Sequence, residues 1–115
     1  MPQAHPIDLS HLARYTGGER ALNGEILRLF DNQLREMVAK LKTVLDARDT
    51  RGWREITHTT KGAARGVGAF PVGEAAAAAE PVDPLLQRDR AEAAIQNLLR
   101  HGQDVEVFVR DYLAA

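Results

Sequence analysis

The residues best suited to chemistry lie in one stretch, Ile56-Thr57-His58-Thr59-Thr60-Lys61-Gly62-Ala63-Ala64-Arg65. On a helix turning about 100° per residue, the stripe formed by Trp53, Ile56, Thr60, Ala63, Ala64 and Val67 centres nearly opposite His58, so the imidazole should face solvent. Lys61, Gly62 and Arg65 fall within about 60° of it on the same wheel. A neutral imidazole carries a free ring-nitrogen lone pair, and an ordinary imidazole, with a pKa of about 6.5, is largely deprotonated at neutral pH. Such a ring can attack phosphorus. The resulting phosphoryl-imidazole would place negative charge one turn from Lys61, which can pair with an oxygen, while Arg65 adds a longer-range positive field. A glycine inside a helix costs roughly 1 kcal/mol against alanine, so Gly62 needs a reason, such as close approach by another molecule. Gly66 repeats the feature one turn later. Phosphoryl transfer needs in-line geometry and charge neutralisation, which suits a partner bringing the rest of the site. The same residues also fit a plain solvated polar face.

The other histidines carry less. His5 and His11 are six residues apart, not the three or four that converge two imidazoles on one metal, so no metal site is expected. His101, beside Gly102, reads as an exposed helical histidine or a local kink. No glycine-rich phosphate loop and no His-Glu-x-x-His motif is present, nor any nucleophile with an evident base partner, which argues against an autonomous enzyme.

The elements that must position His58 follow from composition and periodicity. The chain has 115 residues, enough for one domain and too few for a second core, so residues 1–115 are expected to form a single domain. With 44% hydrophobic and 27% charged residues it reads as soluble and globular, and a formal net charge of -1 gives no basic footprint for nucleic acid. No apolar run approaches the ~18 residues needed to span a bilayer, and the start MPQAHPIDLS lacks the features of a signal peptide. No membrane association and a cytoplasmic location are expected. The absence of cysteine removes disulfides, thiolate metal sites and cysteine nucleophiles. The initial Met is what a free protein would show.

Helix formers dominate, and β-branched and aromatic residues are sparse, so the fold should be all-α. Asp8 can cap a short N-terminal helix that Gly17 and Gly18 end. Leu22, Ile26, Leu29, Phe30, Met37, Val38, Leu41, Val44 and Leu45 recur at three-and-four spacing and predict a helix from about Glu19 to Arg48. Asp49 and Thr50 offer caps for the helix that carries His58. Phe70-Pro71-Val72-Gly73 then punctuates the chain before a short alanine-rich helix from Glu74 to Glu80, ended by Pro81. Leu85, Ile95, Leu98, Leu99, Val105, Phe108, Val109 and Tyr112 predict a long last helix, which Gly102 either interrupts or weakens. Together these make an antiparallel four-helix bundle with the short N-terminal helix packed across one end. The amphipathic stripes are used up by one such core, so a purely oligomeric structural module is disfavoured and a monomer is expected.

The run from Ile56 through Lys61-Gly62 to Val67-Gly68-Ala69 resembles the His-x-x-Lys-Gly signature of histidine-containing phosphotransfer (HPt) domains of bacterial multistep phosphorelays. Ile7-Asp8-Leu9, Thr16-Gly17-Gly18 and the Leu29-Phe30 helix are similar to the family in their order, so the likeness covers essentially the whole chain. The resemblance implies a four-helix core in which His58 accepts phosphate from an aspartyl-phosphate of one response-regulator receiver domain, supplied by a hybrid histidine kinase, and donates it to another, in either direction. It further implies that Lys61 lies near the phosphoryl group, that Gly62 lets the receiver dock, that the partner carries Mg²⁺, and that this chain binds no cofactor and has no ATP site. Docking should use the surface around His58 and the neighbouring face of the Glu19 to Arg48 helix. Where many members have a glutamine that hydrogen-bonds the imidazole, this sequence has Glu80. A carboxylate there would orient the ring but repel a phosphoryl group, so Glu80 is not counted in the site. The alternative within the same family is an adaptor that binds a receiver or kinase without transferring phosphate.

Overall fold

In the computed structural model, which describes residues 5–115, the chain is built from α1 (Leu9–Thr16), α2 (Arg20–Asp46), α3 (Thr50–Val67), α4 (Phe70–Ala79) and α5 (Arg88–Ala114). Met1 and the next three residues of the start MPQAHPIDLS lie outside the described residues. The all-α bundle expected from the periodicity is the fold observed. Helix α2 packs on α3 and α5, α4 packs on α3 and α5, and α1 lies across α2 and α3. Helices α2 and α5 run antiparallel, since Arg20 at the start of α2 donates to the Tyr112 carbonyl at the end of α5 and Asp46 at the end of α2 pairs with Arg88 at the start of α5 at 2.8 Å; Thr60 of α3 lies against the Met37 sulfur of α2. Leu27, Leu41, Trp53, Val72, Ala76 and Leu98 are sealed in the centre. The alanines are the packing surface of α4, with Ala75, Ala76 and Ala79 buried where larger side chains would hold the helices apart.

Boundaries follow from caps. Asp8 accepts from the His11 N–H at 3.1 Å, and Asp49 accepts from the Gly52 N–H at 2.8 Å, each satisfying a free donor of a first turn. Helix α4 begins at Phe70 rather than Glu74, because Pro71 sits in the first turn, where its missing N–H costs nothing. Helix α5 begins at Arg88 rather than near Leu85. Asp83 accepts from the Leu85 N–H at 2.9 Å while its own N–H is taken by the Gln87 side chain at 3.1 Å, so residues 83–87 form a tight turn. Gly102 lies inside an unbroken α5. Leu29, placed on the apolar stripe by its spacing, is 64% exposed, because its neighbour Phe30 takes the inward position.

Gly68 ends α3 with φ +86° and ties the bundle to the N-terminal segment, since the Asp8 N–H donates to its carbonyl at 2.8 Å. A Cβ there would lie 2.7 Å from the Asp8 carbonyl oxygen. Gly68→Ala is expected to destabilise the fold by about 2 kcal/mol or more in urea denaturation, from left-handed strain plus the displaced Asp8 segment. Gly66→Ala, exposed and with open space around it, should instead stabilise α3 by about 0.5–1 kcal/mol.

Candidate functional site

The middle of α3 separates two faces. Thr57 and Thr60 point inward and are fully buried, which they tolerate because their hydroxyls donate to the carbonyls of Trp53 at 2.9 Å and Ile56 at 2.7 Å. His58 points the other way and its side chain is 71% exposed. Below it, Trp53 is completely buried and its indole N–H donates to the Ala79 carbonyl at 2.9 Å. That bond fixes the C-terminal end of α4 against α3 and brings the next residue, Glu80, alongside His58.

Glu80 joins the site together. One carboxylate oxygen lies 3.2 Å from His58 Nδ1 and the other 2.6 Å from Lys61 Nζ. An ionised carboxylate only accepts, so the ring donates its Nδ1–H and a neutral imidazole keeps its lone pair on Nε2. Sequence reasoning left Glu80 out of the site; the structure makes it the bridge between the two residues that define it. Its signal was the short α3–α4 turn, which with antiparallel packing sets Glu80 level with His58.

The Lys61 hydrogen bond holds the Glu80 carboxyl below its ordinary pKa; partial burial opposes this and the His58 contact assists it. Because the folded-state pKa is depressed, the bridge stabilises the fold above the ordinary carboxylate pKa and is lost as pH falls through the lowered value. Lys61→Met is therefore expected to raise the Glu80 titration midpoint in a carboxyl-carbon NMR titration.

The remaining sequence-selected residues are arranged unequally. Gly62 is exposed, and among the described residues no atom lies within 4 Å of where its side chain would begin, which leaves the surface one turn after His58 open. Arg65 is seven residues, about 10 Å of helix rise, from His58, and its stem runs across Gly73 of α4. Among the described residues it makes no ion pair with the His58–Glu80–Lys61 group. Arg54, which the sequence reading passed over, is exposed one turn before His58 and lies on the Lys61 stripe two turns earlier. Its four-residue spacing from His58 was legible on the helical wheel.

His11 packs edge-on against Tyr15 and Phe70, and His101 lines the cleft between α4 and α5. Among the described residues no three His, Asp or Glu side chains are grouped to hold a metal ion, and no helix is long and apolar enough to cross a membrane. The family model described as Hpt domain matches residues 25–114. Searches of curated proteins and of solved structures each returned no significant match.

Proposed function

The chain belongs to the Hpt domain family, which gives it a histidine phosphotransfer role in phosphorelays, and from this we propose that His58 is the phosphoacceptor. The observation that carries the reading is the solvent-facing imidazole whose Nδ1 is held by Glu80, leaving Nε2 as the nucleophile. In the forward step the Nε2 lone pair attacks the phosphorus of a receiver's aspartyl-phosphate. The P–N bond forms, the P–O bond breaks, and its electron pair leaves with the aspartate carboxylate. Positive charge arising on the ring is delocalised toward Nδ1–H and the Glu80 carboxylate. Lys61 turns from Glu80 to the phosphoryl oxygens, whose charge it offsets. The reverse sequence returns the group to a second receiver.

Mg²⁺ belongs to the receiver in this scheme, where it neutralises phosphoryl charge; the face around His58 offers an imidazole, cations and one carboxylate, Glu80, which is already taken by Lys61 and His58, rather than the group of oxygen ligands Mg²⁺ prefers. Gly62 admits the receiver, and Arg65 contributes a distant positive field. The chain works as a cytoplasmic monomer between receivers and a hybrid histidine kinase, with no ATP site or cofactor of its own. The test is incubation with Mg²⁺ and phosphorylated receiver domains. Acid-labile, alkali-stable phosphate mapped to His58 is the expected result. Receiver binding with no such phosphate would overturn the carrier role and favour a non-transferring adaptor.

A further inference from the structure

We propose that the connector between α4 and α5, residues 81–87, is a second contact for the receiver, with Leu85 and Leu86 as its anchors and Arg54 between them and His58. The proposal rests on the carrier reading and extends it to how a receiver is chosen.

Leu86 is 85% exposed and Leu85 is 52% exposed, two adjacent large apolar side chains in water. Isolated exposed leucines are ordinary, but this pair is held out by a built turn. Asp83 accepts from the N–H groups of Leu85 at 2.9 Å and Leu86 at 3.4 Å, and Gln87 bonds Asp83 through both its side chain and its backbone. The far end is pinned where Arg88 pairs with Asp46 of α2 at 2.8 Å. A turn ordered before binding loses little entropy when a partner covers it.

Its position connects it to His58. The connector starts at Glu80, which touches both His58 and Lys61. Leu85 is five residues further on, no more than about 18 Å from Glu80 even fully extended, and the turn shortens that reach. A standard protein interface covers about 800 Å² per partner, a disc roughly 30 Å across, so one centred near His58 extends toward the leucines. Lys61 reaches α4, and Arg54 shares its stripe two turns earlier, so Arg54 flanks the path between His58 and the connector. Arg54 makes no ion pair among the described residues.

This pattern fits one kind of occupant. A domain presenting an aspartyl-phosphate with Mg²⁺ must hold that ion with carboxylates, which gives its docking face an acidic centre. Arg54 and Lys61 complement that centre and orient the encounter, while covering the leucine pair adds the free energy of apolar surface removed from water.

The test compares wild type, Leu85→Ser/Leu86→Ser and Leu86→Ser alone, each loaded at His58 either from phosphoramidate, a small phosphoryl donor, or from phosphorylated receivers. Unchanged loading from phosphoramidate with transfer from receivers slowed by about tenfold or more in the double variant is the expected result. Equal receiver transfer in all three proteins overturns the proposal. So does sedimentation of wild type as a dimer and the double variant as a monomer, which would assign the leucines to a second copy of the chain. If no protein takes phosphate at His58 from either donor, the carrier reading itself falls, and this surface loses its partner with it.

Discussion

His58→Gln is expected to fold as the wild type does and to take up no acid-labile phosphate from any receiver that labels the wild type. The loss is complete because a carboxamide nitrogen has no available lone pair to attack phosphorus. Little structural cost accompanies it. The imidazole is 71% exposed, and its only side-chain hydrogen bond among the described residues is to Glu80, to which a glutamine can still donate. Stability should change by no more than about 1 kcal/mol, as for surface replacements in general. Phosphate analysis read beside thermal unfolding separates the two effects. Equal labelling of the variant would place the phosphate on another residue and remove the role assigned to His58.

Trp53→Ala should have the largest effect on stability. The indole is wholly buried and its N–H holds the Ala79 carbonyl, so truncation opens a cavity and leaves a buried acceptor without its donor. Loss of such a side chain costs about 3–5 kcal/mol, against roughly 5–15 kcal/mol for a whole domain. Circular dichroism in urea is the suitable measurement, because Trp53 is the sole tryptophan and its removal eliminates the indole fluorescence. Trp53→Phe retains most of the volume and should cost less. Equal stability of Trp53→Ala and wild type would show that this residue does not secure α4 to α3.

The fold was legible because its signals are local and redundant. Asp8, Asp49, Gly17 and Gly68 stand where the helices change, and the inward faces of α2, α3 and α5 repeat at helical spacing. The misplaced boundaries share a cause: Pro71 and Leu85 are ambiguous out of context. A proline both stops a helix and starts one, and a leucine next to a helix can extend its stripe or stand outside it in a turn. His58, Lys61 and Gly62 emerged from a single helix and needed no tertiary information to be grouped. Glu80 lies on another helix end, twenty-two positions away, and its place beside them depends on the Trp53–Ala79 bond and the antiparallel register. Arg65 illustrates the converse, since its angle on the wheel is favourable but its stem is drawn along Gly73.

The openness of the site bears on how long a signal can last. Among the described residues no lid or loop closes over the imidazole, which is 71% exposed, so on the carrier reading a phosphoryl group resting there is accessible to bulk water as well as to a receiver. Enzymes that protect reactive intermediates do so by closing over them. Here that protection comes only while the partner is seated, and between encounters the stored signal decays at a rate set by the phosphorus–nitrogen bond and its immediate charges. The fidelity of the relay then depends on how quickly the next receiver arrives, which makes the cellular concentration of receivers part of the timing mechanism.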